Sequence, residues 1–347
     1  MRVKVDKIGS AASSLGIVQE ANTTPRHNFA VSGDVVVVRA LSESVEYGSL
    51  ELPTGRLAKI NRNDILVGVL GKRRALKGFV GDIPDTVCAG DRLHLLNMGG
   101  VIGICTGHHS AFDDAIEVEV LGTVCDEEGA VVNISDNALP LAEKLVRSAP
   151  IVLVAGTCMN SGKTVAATEI IRQATNAGLR VAGAKLSGIA CLRDTLNMQD
   201  HGAIATASFL DCGIPSTVEH GKLPAVAKTV LNHLNKVSPD LIVAELGDGI
   251  LGGYAVESVM TDDEIRSAIS TLVFCASDFV GVVGGMTVLR RLGHEIDLIA
   301  GSVTDSQMGE DYVRANFGVQ AANAKRDGRK LFELIVANLY AKLPVYA

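Results

Sequence analysis

The chain has no tryptophan, and aromatic residues make up only 4% of its 347 positions. Capture of single-stranded nucleic acid needs a basic groove with aromatic faces for the bases. With 32 Lys+Arg against 39 Asp+Glu and a formal net charge of −7, composition argues against nucleic acid and anionic membrane surfaces as main partners, a local basic groove being the alternative. C-x-x-C pairs are also missing. Cysteines at Cys88, Cys105, Cys125, Cys158, Cys191, Cys212 and Cys275 are odd in number and dispersed, which excludes a zinc ribbon or dithiol motif and fits a reducing cytoplasm. His108 and His109 next to Cys105 would point to opposite faces of a strand, and no third ligand is spaced to join them. The most apolar stretch, TLVFCASDFVGVVGGMTVL, carries Asp278 and several glycines and reads as a buried strand plus turn rather than a membrane span. MRVKVDKIGS at the start lacks the apolar core of a secretory signal.

The residues that are present describe a well-cored chain, with 47% hydrophobic and 20% charged positions. Its length favours two domains. Residues 1–135 are β-rich: VSGDVVVVRAL, GSLELPTGRLAKI, NRNDILVGVLGKR, AGDRLHLLNMGGVIGICTG and DAIEVEVLGTVCDEEGAVVNI are short Val/Ile/Leu runs separated by Gly-Asp and Asn-Asp turns. That pattern predicts a small antiparallel barrel or sandwich. Arg39, Arg56, Arg62, Arg73, Arg74, Lys72 and Lys77 make this half locally basic, read as charge on solvated strand edges with a ligand-facing patch as the alternative.

Residues 136–149, beginning DNALPLAEKLVRS, read as a connecting helix. From 150 to 347 apolar strands alternate with helical segments: IVLVAG and a helix to Ala177; LRVAGAKLSG and the helix GAIATASFLDCG; PSTV and KLPAVAKTVLNHLNKV; DLIVAELG; TLVFCASDFVGVVGG; IDLIAGSV and MGEDYVRANFG; and the helix KLFELIVANLYAKL. Such alternation predicts an α/β fold, a mostly parallel sheet under helices, with ligands beyond the carboxyl ends of the strands.

IVLVAGTCMNSGKT, residues 151–164, is the most specific signal. An apolar strand delivers the chain to a turn, Gly156, Thr157, Asn160, Ser161 and Gly162, whose backbone N–H groups can wrap phosphate. Lys163 is placed to reach the β- and γ-phosphates, Thr164 to offer a hydroxyl to Mg²⁺, and Val165 to continue a helix whose positive end adds to the site. The usual spacing would put a glycine at 157, where this chain has Thr157. A P-loop NTPase that binds ATP with Mg²⁺ is the expectation.

Two further strand ends complete the candidate site. DLIVAELGDGILGG places Glu245 after Ile242, Val243 and Ala244, as a carboxylate able to hold Mg²⁺ directly or through water; a buried structural glutamate is the alternative. Lys185 closes the strand in GLRVAGAKLSG, where a buried ammonium is costly without an anionic partner. Beyond it, Arg193, Asp194, Asp200 and His201 lie in a presumed loop, with Asp200 opening the next helix as a cap or a metal ligand. Near the C-terminus, Asp305 in VTDS and Asn323 in GVQAAN sit in strand-end loops suited to the base. No N-K-x-D string is present, which favours ATP over GTP.

These residues resemble dethiobiotin synthetase and its relatives, the cobyrinic and cobyric acid amidotransferases and, more distantly, GTPases of molybdopterin maturation. The resemblance covers residues 150 to about 255. It implies phosphate and Mg²⁺ at Lys163 and Thr164, the reacting group at Lys185, and metal at Asp200 and Glu245. Cys158, Met159 and Asn160 replace acidic loop positions, K-L-S-G replaces K-P-V-A-S-G, and Leu246 and Asp248 break the E-G-A-G-G run, so the substrate does not carry over. The main functional reading is ATP- and Mg²⁺-dependent phosphoryl transfer, as a kinase or ligase half-reaction, to a small-molecule acid or hydroxyl by a homodimer. Alternatives are a nucleotide-switch maturation factor and, third, a polynucleotide 5′-hydroxyl kinase, which shares the order of β-rich domain and P-loop domain.

Overall fold

The computed structural model describes residues 1–25, 28–44 and 46–342. They form two compact units. The first contains Met1–Pro140 together with two segments from later in the chain, Ile189–Arg193 and Phe209–Val218. The second contains Leu141–Gly188, Asp194–Ser208 and Glu219–Ala347.

In the first unit, strands β1 (Val35–Ala40), β2 (Ile65–Leu70), β3 (Arg92–Leu95), β4 (Val101–His108) and β5 (Glu117–Val124) close into a ring. β1 pairs with β2 and β5, β4 with β2 and β3, and β3 with β5, every pair antiparallel except β2 with β4. Closure removes the free edges, and alternation sorts the side chains. Val36, Val38, Leu66, Leu70, Leu93, Leu95, Ile102, Val118 and Val120 share one core, while Val35, Val37, Val67, Val69 and Val101 face a second core with Val5, Ile8, Ala11 and Ala12. Ala190 and Leu210, from the two later segments, belong to that second core. Three of the basic residues are committed within the unit. Arg39 pairs with Glu119 and Arg74 with Asp82, whereas Arg73 is buried, its guanidinium 5.2 Å from the Tyr47 ring centre.

The second unit is a parallel seven-stranded sheet made of β6 (Ile151–Gly156), β7 (Val181–Lys185), β8 (Ala205–Ser208), β9 (Leu241–Glu245), β10 (Ile269–Cys275), β11 (Leu298–Ala300) and β12 (Gln320–Ala321), in the order β8-β7-β9-β6-β10-β11-β12. Its helices are α1 (Lys163–Asn176), α2 (Arg193–Asp200), α3 (Leu223–Asn235), α4 (Val256–Thr261), α5 (Asp263–Ala268), α6 (Phe279–Arg291), α7 (Gln307–Phe317) and α8 (Ala324–Lys342); the expected end of the last at Leu343 lies outside the described residues. Ala166, Ala167, Ile170, Ile171 and Ala174 recur at helical spacing and press α1 into the core with Val152, Val154 and Val243.

Four local expectations are corrected. No helix spans 138–148. Pro140 interrupts the run, and the backbone N–H groups of Ala142, Leu145, Val146 and Ala149 donate to side chains of Thr229, Glu264, Asn232 and Asn235 at 2.7, 3.0, 2.9 and 2.9 Å. The segment is an extended strap laid along α3, its hydrogen bonds supplied sideways rather than within itself. GAIATASFLDCG is also not a helix. Gly202, at φ +101°, stops α2, and the β-branched run after it forms β8 and then a 3₁₀ turn, Phe209–Cys212. PSTV is a loop touching Ile189 through one isolated bridge at Ser216. In TLVFCASDFVGVVGG the strand ends at Cys275, and Asp278 caps α6 by accepting from Gly281 N–H at 2.7 Å.

Candidate functional site

The loop between β6 and α1 is held from three directions. Thr157 N–H donates to Cys275 O at 3.0 Å, Ile250 N–H to Gly156 O at 2.9 Å, and Ser302 N–H to Ser161 O at 3.3 Å. Gly156 ends its strand where a Cβ would meet Ser161 Oγ at 2.6 Å and Cys275 O at 2.7 Å. At Gly162, φ +100° turns the chain into α1. Gly301, φ +87°, lets the end of β11 approach so closely that a Cβ there would collide with Ser161 O. Asn160 takes φ +62° at the loop tip.

Lys163 folds over this loop, its Nζ donating to Cys158 O at 2.7 Å and lying 3.5 Å from Ser161 Oγ. Burial pulls its ammonium below the ordinary lysine range, with the Glu245 carboxylate working the other way. An anion received by the loop would relieve that cost.

Beside Lys163 stands a connected cluster of charges. β9 lies next to β6 in the sheet and ends in Glu245, 1% exposed. Its Oε1 accepts from Thr164 Oγ1 at 2.9 Å and from Lys185 Nζ at 2.7 Å, while Oε2 has no hydrogen-bond partner among the described residues. Lys185, at the end of the next strand, reaches Asp194 Oδ2 at 2.6 Å as well. Desolvation alone would lower the Lys185 ammonium, but Asp194 and Glu245 together outweigh it and hold it above its ordinary value.

The arrangement suits a divalent cation. Thr164 spends its hydroxyl proton on Glu245 and keeps its lone pairs for a metal, and the orphaned Glu245 Oε2 is a buried acceptor awaiting a donor or a cation. Among the described residues no group of three or more His, Cys, Asp or Glu could hold a metal alone. Mg²⁺ takes one or two protein ligands and completes its shell with water and phosphate oxygens.

Of the residues singled out in the sequence, Gly156, Thr157, Asn160, Ser161, Gly162, Lys163, Thr164, Val165, Lys185 and Glu245 lie at or next to this loop. Asp200 does not. It is the exposed last residue of α2, and α2 begins seven residues earlier than expected. Its first-turn carboxylate, Asp194, stands where Asp200 was expected, and a helix of this length separates the two by roughly 9 Å. The buried, i+3-spaced Thr195 and Met198 were the sequence signal for that earlier start. Asn323 is hydrogen-bonded among the strand-end loops, its Nδ2 donating to Thr304 Oγ1 at 3.1 Å and Asp305 Oδ1 at 2.9 Å and its Oδ1 accepting from Arg326 N–H at 2.8 Å. It ties the turn after β11 to the start of α8.

The second unit thus has the fold of a P-loop NTPase: a parallel sheet, a glycine-bracketed loop into a helix beginning Lys163-Thr164, and a carboxylate ending the adjacent strand. Among the described residues no helix is long and apolar enough to cross a membrane. No family model matches the chain, and no curated protein matches it in sequence. Among solved structures it is similar to chloroplast FtsY from Physcomitrella patens, at 10% identity over 58% of this chain and 70% of that one with a TM-score of 0.39. It is also similar to the signal recognition particle 54 kDa protein from Aeropyrum pernix K1 in complex with GDP, at 14% identity over 57% and 49% with a TM-score of 0.39. A DUF1611 family protein from Anabaena variabilis gives 13% identity over 59% and 63% with a TM-score of 0.43. The chain spans less than two thirds of the latter two. None of the three is a dethiobiotin synthetase, and the likeness is one of fold.

Proposed function

We propose that the second unit is a Mg²⁺-dependent nucleoside triphosphatase acting as a nucleotide-driven switch or maturation factor. The loop, Lys163 and the start of α1 would hold the phosphates, while Thr164 and Glu245 would hold Mg²⁺. When bound, the metal supplies charge neutralisation at the β- and γ-phosphates. Lys163 adds a second positive charge from the protein side, and the buried setting strengthens both.

The observation that carries the switch reading over phosphoryl transfer to an acceptor is the double neutralisation of Lys185. An acceptor enzyme needs a fixed, uncommitted cation facing the incoming nucleophile. Lys185 instead stands between Asp194 at 2.6 Å and Glu245 at 2.7 Å. The second reading, transfer of the γ-phosphoryl group to a small-molecule acid or hydroxyl, keeps support from the position of Lys185 at a strand end near the loop.

Single turnovers with γ-labelled ATP and GTP test both readings. A switch releases inorganic phosphate with no acceptor present, and a requirement for an added acid or alcohol would reverse the ranking. Titration calorimetry of the same nucleotides tests the site itself. Lys163→Ala should abolish measurable triphosphate binding, and equal affinity in wild type and variant would refute the assignment.

A further inference from the structure

We infer that Lys185 is a built-in stand-in for the divalent cation, an internal counter-ion on Glu245 that Asp194 takes over when metal arrives. This rests on the nucleotide-site reading above. Glu245 Oε1 accepts from Thr164 Oγ1 and Lys185 Nζ while Oε2 has no hydrogen-bond partner among the described residues, so a metal held by Thr164 and Glu245 would share this one carboxylate with the ammonium. An ammonium 2.7 Å away and a divalent cation cannot both crowd one carboxylate without strong like-charge repulsion.

The second carboxylate resolves the conflict. Lys185 Nζ is already 2.6 Å from Asp194 Oδ2, so giving up Glu245 never strands the charge. The three side chains are graded in exposure, Glu245 at 1%, Lys185 at 11% and Asp194 at 31%. Moving the ammonium toward Asp194 therefore moves it toward solvent and off the buried carboxylate. Asp194 is thus a positioning residue that acts through Lys185, and Lys185 sets the concentration at which metal is held. Without the lysine, Glu245 would be a buried carboxylate lacking a counter-charge whenever metal is absent, a costly state.

The test is Mn²⁺ binding by the full chain without nucleotide, read from the loss of the free-ion electron paramagnetic resonance signal. Lys185→Met removes the competitor and should tighten Mn²⁺ by about tenfold or more, the weight of one charge-assisted hydrogen bond. Lys185→Arg keeps the charge and should stay near wild type. Asp194→Asn leaves the ammonium wholly on Glu245 and should weaken Mn²⁺ several-fold, yet have no effect in the Lys185→Met background.

Unchanged Mn²⁺ affinity in Lys185→Met overturns the inference. So does weakening by Asp194→Asn in that background, which would make Asp194 a direct ligand. Should Lys185→Met fail to fold, Asp194→Asn alone decides, because unaltered affinity there removes the hand-over. Wild type that binds neither Mn²⁺ nor nucleotide would instead remove the nucleotide site itself, whereas Mg²⁺-nucleotide binding with indifferent Lys185 variants removes only the counter-ion.

Discussion

Glu245 is asked to be both a buried structural acid and a site carboxylate, and its contacts show why the two roles are hard to separate by one substitution. Glu245→Gln keeps the shape but takes away one of the two negative charges facing Lys185. Asp194 still neutralises the lysine, so the expected loss is roughly 1–3 kcal/mol rather than the larger cost of stranding a buried charge outright. Metal-dependent turnover should fall as well. Thermal melts with and without Mg²⁺-nucleotide separate the effects, since a purely structural glutamate would lower both melting temperatures equally. Glu245 and Lys185 were readable in the sequence because each ends an apolar strand with a charged residue beside glycines. Asp194 was named only as a loop residue, because its pairing depends on where α2 begins.

At the scale of elements, the loop is shaped by neighbours distant in sequence. A Cβ on Gly301 would collide with Ser161 O, and the residue holds φ +87°. Gly301→Ala should therefore cost about 1–3 kcal/mol of backbone strain and weaken triphosphate binding in calorimetry, with Lys163 and Thr164 untouched. The strap and α5 make a second case. Lys228 on α3 pairs with Asp262 and Glu264, each at 2.8 Å. Burial works against the Asp262 carboxylate, but Lys228 and the Ile265 and Glu264 N–H groups outweigh it and hold it low, and Lys228 lowers Glu264 directly. With folded-state values depressed, the stability they contribute is complete above the unfolded values of 3.8 and 4.5 and is lost as pH falls through the depressed ones. Lys228→Met should thus lower the melting temperature most at neutral pH and progressively less as pH falls below about 4. A constant deficit across pH 7 to 3 would place the lysine's contribution in its packing instead.

At the scale of the whole molecule, the first unit is discontinuous in sequence. Its buried Asn97 donates to Ala190 O at 2.8 Å, and its buried Glu51 accepts from Leu192 N–H at 2.7 Å, both partners lying within residues 189–193. A fragment ending at Pro140 would strand these groups and lose Ala190 and Leu210 from its core. We expect residues 1–140 alone to lack a cooperative thermal transition, and a sharp melt near that of the full chain would contradict this. In the full chain, a nucleotide at 100 times its dissociation constant should add about 2.7 kcal/mol.

Local chemistry was enough for whatever depends on neighbours in sequence. The alternating valines of 35–40, the strand-loop-helix of 151–176 and the charged ends of β7 and β9 are written in spacing and residue type, so the β-rich half, the α/β half and the residues around the loop between β6 and α1 were legible. Ring closure through β3 and β5, the approach of Gly301 to Ser161, the strap that borrows hydrogen bonds from α3, and the sharing of Lys185 between Asp194 and Glu245 were decided only by the tertiary structure. Each joins residues far apart in the chain, and helix or strand periodicity carries no record of which distant groups will satisfy a backbone N–H or a buried charge.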